Sequence, residues 1–313
     1  MRRGAQPVPS PVWWPCPPVL FGLGQRRYDL RRRALVMGIL NRTTDSFYDK
    51  GSYFSLDRFY ERADQLVQEG ADLLDIGGVK AGPGPEVSEE EEMERVVPVI
   101  ASLHGRFDVP LSVDTWRASV AAAAFEAGAT LGNDISGFAD PDYLPSAAAA
   151  GASVVATHIR LSPRVPDPTP HYDDLLGEVE RFLLLRVERA LAAGIPADHI
   201  VLDAGLDLGK TAHQSLTLLQ HSARLASLGY PLLLSSSNKT FLGVLLDLDI
   251  GARRDASLAS AALGIAGGCR LIRAHDVAAT CKVRDLLAAI FESMPEREPG
   301  DAMAAPEGRT EPR

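Results

Sequence analysis

Residues 110–134 read P-L-S-V-D-T-W-R-A-S-V-A-A-A-A-F-E-A-G-A-T-L-G-N-D and contain one complete strand–helix–strand unit. The run Pro110 to Val113 is short and apolar, as expected for a strand buried on both faces of a parallel sheet. The segment Trp116 to Ala127 has the length of a helix, and Gly128 can end it because glycine adopts a positive φ without a Cβ clash. A second apolar run, Thr130 to Gly132, follows at once. The stretch therefore predicts a βα unit that leads directly into the next strand.

The same alternation repeats along the chain, and we count eight apolar runs: Ala34 to Leu40, Asp72 to Ile76, Pro110 to Val113, Thr130 to Gly132, Ala152 to Ala156, His199 to Leu202, Pro231 to Leu234 and Arg270 to Ala274. Segments of helical length follow them, including Leu56 to Glu69, Ser88 to Leu103, Trp116 to Ala127, Tyr172 to Ala193, Ala212 to Leu228 and Val277 to Phe291. Several of these helices end in a glycine just before the next strand: Gly70, Gly128, Gly151, Gly194 and Gly229. Eight βα units favour an α/β fold in which a parallel sheet closes on itself. We expect a single (β/α)8 TIM barrel over residues 33–293.

The two ends of the chain have a different composition from the region between them. Residues 1–32 are rich in proline and then in arginine, and residues 294–313 are rich in proline, glutamate and arginine. Such segments bury little apolar surface. We therefore expect a flexible N-terminal extension and a flexible C-terminal tail.

Charge and cysteine content narrow the class of function. The formal net charge of −9 argues against nucleic-acid binding, which needs an excess of clustered Lys and Arg. The three cysteines form no Cys-x-x-Cys pair, so the sequence indicates neither a disulfide framework nor a thiolate zinc site. No window approaches the roughly 18 apolar residues of a membrane helix. We expect a cytoplasmic protein that acts on small molecules and binds no membrane.

Polar residues or glycines stand directly after the apolar runs, with one charged residue near the end of the last run: Asn41, Gly77–Gly78, Asp114, Asn133–Asp134, His158, Asp203, Lys239, Arg273 and His275. Each of them alone could be a helix cap or a satisfied buried polar group. Together they would line one rim of the barrel, and that rim carries the active site in barrel enzymes. The distribution therefore indicates an enzyme.

The chemistry of this set indicates a class of ligand. Asp114, Asp203 and Asn133 can exchange hydrogen bonds in a plane, while Arg273 and His275 add donor or cationic groups. A flat, nitrogen-rich heterocycle with an anionic arm, such as a phosphorylated one, fits this inventory. The residues alone identify the ligand no further.

Several motifs, in order along the chain, are similar to those of the dihydropteroate synthase family: Met37-Gly-Ile-Leu-Asn-Arg-Thr-Thr-Asp-Ser-Phe47, Asp75-Ile-Gly-Gly78, Ser112-Val-Asp-Thr115, Asn133-Asp-Ile-Ser-Gly137, Gly209-Lys210, Ser237-Asn-Lys239 and Ile272-Arg-Ala-His-Asp276. The likeness runs to about residue 290. In that family a pterin-binding barrel joins dihydropterin diphosphate to p-aminobenzoate, and diphosphate departs with the help of Mg²⁺. The resemblance thus implies transferase activity in folate biosynthesis.

The resemblance also implies roles for individual residues. The pterin-binding group would be Asp114, Asn133, Ile135, Asp203 and Lys239. The diphosphate would meet Arg273 and His275, and Asn41 would belong to the Mg²⁺ site. Family members are usually homodimers, and the Ala-rich segment Ala259 to Gly268 is apolar enough to pack against a copy, although the same composition also suits ordinary helix-on-strand packing.

The chain departs from the family on the side of the second substrate. Lys80, Ala81 and Gly82 lie where the family reads S-T-R, so the hydroxyl of the threonine and the guanidinium of the arginine are missing from a loop that closes over diphosphate and p-aminobenzoate. Leu208 replaces a phenylalanine and Asn238 replaces an arginine. Other departures include Asp207 for glycine, Thr157 for methionine, Arg42 for valine and Thr44 for proline. This pattern resembles the family's divergent second paralogue, which is generally regarded as lacking the canonical activity.

Three interpretations follow. We favour a degenerate family member that binds dihydropterin diphosphate or a related pterin but condenses p-aminobenzoate weakly or not at all. The second is a working dihydropteroate synthase. The third is a methyltetrahydrofolate-type pterin-binding protein, which would need a methyl-acceptor partner.

Overall fold

A computed structural model describes residues 20–42, 54–82 and 84–293. Eight parallel strands close into a barrel in the order β10-β3-β4-β5-β6-β7-β8-β9. These strands are β3 (Leu35–Asn41), β4 (Leu73–Gly77), β5 (Leu111–Asp114), β6 (Leu131–Asp134), β7 (Ser153–Thr157), β8 (Ile200–Asp203), β9 (Leu232–Leu234) and β10 (Cys269–Ala274). The predicted (β/α)8 barrel is confirmed, and each predicted strand agrees with the observed one to within two residues at either end.

Helices surround the barrel: α1 (Phe54–Gln68), α2 (Glu89–Arg106), α3 (Ala118–Glu126), α4 (Tyr143–Ala149), α5 (Leu175–Ala192), α6 (Ala212–Gln220), α7 (Ser222–Ala226), α8 (Thr240–Leu246), α9 (Arg254–Ala266) and α10 (Val277–Glu292). The segment predicted as one helix from Ala212 to Leu228 is two, because the chain breaks at His221. All five glycines predicted to end helices have a positive φ. None of the helices in the described ranges is long and apolar enough to cross a membrane.

Side-chain alternation along the strands separates the two faces of the barrel wall. Outward residues such as Leu74 and Val154 pack under the helices. Inward residues form a separate apolar cluster inside the barrel: Leu35, Met37, Leu73, Leu131, Val155, Val201, Leu233 and Leu271. Two residues further along each strand the inward side chain belongs to the next layer, because side chains alternate with a period of two. That layer is mostly polar: Asp75, Asn133, Thr157, Asp203, Ser235 and Arg273. The polar layer forms the floor of the C-terminal end.

A β-hairpin closes the opposite end of the barrel. Strands β1 (Leu20–Leu23) and β2 (Arg26–Asp29) pair antiparallel around Gly24. Phe21 is fully buried in the interior cluster, and the Ser153 hydroxyl donates to the Gly22 carbonyl oxygen at 2.6 Å. The prediction of a flexible extension over residues 1–32 is therefore wrong for this hairpin. Residues 1–19 and 294–313 lie outside the described ranges.

Candidate functional site

A cavity of about 610 Å³ opens at the C-terminal end of the barrel strands. Residues at or after the C-terminal ends of seven of the eight barrel strands line it, and they include residues expected from the sequence: Asn41, Lys80, Ala81, Gly82, Asp114, Leu208, Asn238, Lys239, Arg273 and His275. Asn133 and Asp203 are buried in the polar layer at the same end of the barrel and do not line the cavity itself. Ile135 follows β6, is half-buried and is likewise absent from the described lining.

Asp75 and Arg273 connect the polar layer. The Arg273 guanidinium donates from Nε to Asp75 at 2.6 Å and from an Nη to Asp114 at 2.7 Å. Asp75 is fully buried and also accepts from the Ser112 hydroxyl at 2.6 Å and from the Asn133 amide at 3.1 Å. One guanidinium thus holds carboxylates from two neighbouring strands and fixes their orientation. Asp75 was not among the predicted site residues.

Burial makes this layer electrostatically unusual. Burial is the main cause that raises the pKa of Asp114 from 3.8 to about 7. The positive charge of Arg273 lowers this pKa but only partly offsets burial, and the like charge of Asp75 raises it further. The pKa of Asp203 is also raised by burial, although Lys239 lies close enough to oppose the shift. Both carboxyl groups therefore gain from a ligand that donates hydrogen bonds to them.

Lys239 and Asp203 interact electrostatically, and each makes its hydrogen bond to the β8–α6 loop. The Asp203 carboxylate accepts from the Gly205 amide at 2.7 Å, and the Lys239 ammonium donates to the Leu206 carbonyl oxygen at 2.6 Å. Burial lowers the pKa of Lys239. The Lys239 ammonium is therefore poorly solvated, and a polar ligand that accepts a hydrogen bond would stabilise it.

His275 enters the cavity as a neutral imidazole. Its pKa is lowered to about 4 by burial and by the nearby Arg273. Its Nδ1 lies 2.9 Å from the Ser237 hydroxyl, and its backbone N–H donates to the same oxygen at 3.2 Å. Near neutral pH the ring can donate or accept a hydrogen bond but carries no charge, so Arg273 is the cation of this pair.

Lys210 and His158 form a buried brace behind the β8–α6 loop. The Lys210 ammonium lies 2.9 Å from the His158 Nδ1 and donates to the carbonyl oxygens of Gly205 at 2.8 Å and Leu208 at 3.0 Å. Burial lowers the pKa of Lys210 to about 7, and burial together with this cation lowers that of His158 to about 2. The imidazole is thus a neutral acceptor, and the brace shapes the loop that carries Leu208.

Asp207 connects two of the loops that the sequence marks as altered. It has a φ of 67°, a region that suits the glycine it replaces, and its carboxylate accepts from the backbone N–H of Thr240 at 2.6 Å and of Phe241 at 3.2 Å. The side chain of Lys239, the residue before helix α8, does not cap this helix. Asp207 in the β8–α6 loop caps it instead. The substitution is therefore part of a contact between the two loops.

Thr157 places a hydroxyl in the polar layer without a partner. It pairs in register with Asp203, is 1% exposed, and its Oγ1 has no hydrogen-bond partner among the described residues. An unsatisfied buried hydroxyl costs free energy. Arg42, another departure, points away from the cavity and donates to the Glu94 and Arg95 carbonyl oxygens of α2. Thr44 lies outside the described ranges.

Asn41 marks the position that the resemblance assigns to Mg²⁺. A Cβ at Gly77 would lie 3.0 Å from the Asn41 Oδ1 and 3.5 Å from the Asp114 Oδ2. Across the described part of the chain no group of three or more His, Cys, Asp and Glu could hold a metal ion. Mg²⁺ in proteins keeps several waters and often combines one or two protein oxygens with substrate phosphates. These residues therefore fit an ion that arrives with a diphosphate.

Comparisons with known proteins agree with this geometry. The profile of a family described as "Pterin binding enzyme" matches residues 37–275. The dihydropteroate synthase of Synechocystis sp. is 43% identical over 85% of this chain and 94% of its own. The inactive dihydropteroate synthase 2 of Mycobacterium tuberculosis is 42% identical over 82% of this chain and 83% of its own. The structure of Xanthomonas albilineans dihydropteroate synthase with 4-aminobenzoic acid is 37% identical, covers 89% of this chain and 100% of its own, and superposes with a TM-score of 0.81.

Proposed function

The chain belongs to the pterin-binding enzyme family, and from this premise we propose that it retains a pterin diphosphate pocket but condenses p-aminobenzoate weakly or not at all. The observation that carries the proposal is a contrast within one cavity. At the base of the cavity Arg273 holds Asp75 at 2.6 Å and Asp114 at 2.7 Å, while the loop Lys80–Gly82 above it supplies no hydroxyl and no guanidinium.

The polar layer supports pterin binding. Asp114 and Asp203 have raised pKa values, and an aminopyrimidinone edge would donate hydrogen bonds to them. Asn133 is held by Asp75, so its carboxamide oxygen remains directed for a donor. Lys239 would contact the ring from the β9–α8 loop. Ile135 is proposed from the resemblance alone.

The anionic arm would lie toward the other side of the cavity. Arg273 would stabilise a diphosphate by charge, and neutral His275 would add a hydrogen bond. Mg²⁺, bound with the diphosphate near Asn41, would neutralise the departing charge. Asp75 would act through Arg273, because it fixes the guanidinium without itself lining the cavity.

The second substrate would meet the altered residues. The side chains of Ala81 and Gly82 have no hydrogen-bond donor, and Lys80 lacks the planar donor fork of an arginine. Asn238 at φ 57° is held by the Ser257 hydroxyl and by Arg253, so its side chain and backbone are engaged in local contacts. These features support weak recognition of p-aminobenzoate.

An active dihydropteroate synthase is the second candidate. The chain is 43% identical to a relative named as a synthase and 42% identical to relatives named as inactive, so overall identity does not separate the two. The difference must come from individual residues in the cavity.

The test is a condensation assay with 6-hydroxymethyl-dihydropterin diphosphate, p-aminobenzoate and Mg²⁺, on the natural chain and on an Ala81→Thr, Gly82→Arg double variant. One lost charge-assisted contact is worth about 1.5–3 kcal/mol, which is roughly a tenfold to hundredfold change in rate. We expect the double variant to gain at least tenfold over a low starting rate. Calorimetric binding of the pterin substrate should be similar in both.

The control for loop composition is Ala81→Ser with Gly82→Gln, which adds similar bulk without the cation. A natural chain that turns over like an ordinary synthase supports the second candidate. A natural chain that binds no pterin refutes the proposal, because the retained pocket is its central claim.

A further inference from the structure

An arginine from the β7–α5 loop reaches across the mouth of the cavity. The Nη2 of Arg164 donates to the Pro85 carbonyl oxygen at 2.5 Å, and it lies 3.4 Å from where a Cβ at Gly84 would stand. Pro85 follows β4, and β5 and β6 separate β4 from β7 in the barrel. The side chain therefore spans the opening and lies against the loop that contains Ala81 and Gly82.

The backbone at Arg164 is held in an unfavourable conformation. Its φ of 65° lies in the left-handed region, which is strained for an L-residue other than glycine. The Val165 amide donates to the Ser162 carbonyl oxygen at 3.2 Å, and an Arg160–Asp167 ion pair ties the ends of this turn together. The loop thus has its own bonds that keep Arg164 directed at the mouth.

The contacts of Arg164 differ from those of Arg273 and Lys210, two other cations that line the cavity. Arg273 is paired with two carboxylates, and Lys210 is buried among carbonyl oxygens and His158. Arg164, which also lines the cavity, makes no ion pair with a carboxylate among the described residues, and its known hydrogen bond uses one of its five N–H donors. Its other N–H donors have no acceptor among the described residues, so they can bind a ligand at the mouth.

We propose that Arg164 is an anion-binding residue of the cavity, supplied from the β7–α5 loop in place of the guanidinium that position 82 lacks. Its ligand is a phosphate or carboxylate group at the mouth. The identity of the complete ligand rests on the proposed function, but the anion contact does not.

The test compares calorimetric binding of inorganic pyrophosphate and of p-aminobenzoate, as separate probes, to the natural chain and to Arg164→Asn. Asparagine tolerates a left-handed backbone, so this variant removes the cation while keeping the turn. We expect at least one probe to bind about tenfold to hundredfold more weakly, as for one lost charge-assisted contact. Arg164→Lys should fall between the two, because lysine keeps the charge without the fork.

Arg181→Gln is the matched control, since Arg181 is an exposed arginine on α5 outside the cavity. It should bind both probes like the natural chain. Weaker binding of pyrophosphate identifies the anion as a diphosphate, and weaker binding of p-aminobenzoate alone identifies it as a carboxylate. Unchanged binding of both probes in Arg164→Asn, or no binding of either to the natural chain, would overturn the inference.

A third probe separates this inference from the proposed function. The phosphate-free 6-hydroxymethylpterin should bind the natural chain and Arg164→Asn equally, because the pterin floor does not involve Arg164. Failure of the natural chain to bind this probe contradicts the proposed function, while the comparison of the two anionic probes still decides the role of Arg164.

Discussion

At the scale of single residues, Asp75 connects the polar layer although it does not line the cavity. It accepts hydrogen bonds from three side chains on three other strands, those of Ser112, Asn133 and Arg273. A buried carboxylate is tolerated only when it is paired and fully bonded. Asp75 is therefore the centre from which the orientation of Arg273, and through it of Asp114, is determined.

The pKa of Asp114 gives the first prediction. Between its ordinary value of 3.8 and about 7, the folded chain holds a proton that the unfolded chain has released. This contribution stabilises the fold at low pH and is lost as the pH rises through that window. We therefore expect Asp114→Asn to gain stability relative to the natural chain as the pH rises from about 4 to about 7.

The measurement is the difference in free energy of unfolding between the two chains, obtained by urea denaturation without ligand at several pH values. Taking the difference removes the contributions of other shifted groups, such as Asp134 and Lys210, which both chains share. A difference that stays constant across this window would show that the Asp114 carboxyl titrates normally.

Sequence reasoning found most of these residues but not their partners. Asp114, Asp203 and Lys239 follow apolar runs, and that position alone indicates the rim. Asp75 lies inside a run, where its inward direction follows from alternation with Leu73, but nothing in the sequence says that Arg273 lies opposite. This contact depends on how the barrel closes, because closure pairs β10 with β3, and β3 pairs in turn with β4. Local sequence does not encode that arrangement.

At the scale of secondary-structure elements, loops that are distant in sequence are tied together above the barrel. Asp207 caps α8, and Lys239, just before α8, donates back to Leu206 beside Asp207. The two contacts run in opposite directions between the same loops. The shape of this wall of the cavity is therefore set jointly by both loops.

Substitution of Asp207 gives the second prediction. Asp207→Ala should destabilise the fold by about 1–2 kcal/mol, because it removes the cap. Asp207→Gly should be destabilised by about 1 kcal/mol less than Asp207→Ala, because glycine relieves the strain of a positive φ. Asp207→Asn keeps both an acceptor and tolerance of this φ, so it should remain closest to the natural chain. Urea unfolding of the three variants measures this order, and an alanine variant as stable as the natural chain would refute the capping role.

The hairpin β1–β2 gives the third prediction. Phe21→Ala should destabilise the fold by about 3–5 kcal/mol, because a large side chain is removed from a fully buried position. Leu20→Ala is the matched control on the same strand, since Leu20 is 59% exposed, and it should change stability by less than about 0.5 kcal/mol. Equal losses in the two variants would show that the hairpin does not close the barrel.

The barrel elements were predictable and the hairpin was not, for a physical reason. Barrel strands are buried on both faces, so their sequences are continuous apolar runs. Strand β2 reads Arg26-Arg-Tyr-Asp29 and exposes most of its side chains, and β1 is only four residues long. The apolar residues of β1 are buried because they pack against the open N-terminal end of the barrel, whose strands come from later parts of the sequence.

At the scale of the whole molecule, the two ends of the barrel differ in the kind of side chain that fills them. The N-terminal end is closed by apolar packing under the hairpin, and the floor of the C-terminal end is a connected polar layer. The departures from the family lie mainly above that floor, in loops from β4, β8 and β9. The same barrel can therefore keep its polar floor while the loops at its mouth vary, because the loops contribute little to the core.

Assembly gives the last prediction, that the chain forms a homodimer through α9. This helix carries the Ala-rich sequence expected to pack against a copy, and it exposes Leu263 at 61% of its surface. A charged residue in a packed apolar interface carries a large desolvation cost. We therefore expect light scattering to give twice the mass of one chain for the natural protein and the mass of a single chain for Leu263→Glu. Leu185→Glu is the matched control, because Leu185 is a comparably exposed leucine on α5, and it should remain dimeric. A natural chain that is monomeric at every concentration contradicts the dimer, and a dimeric Leu263→Glu places the interface on another surface.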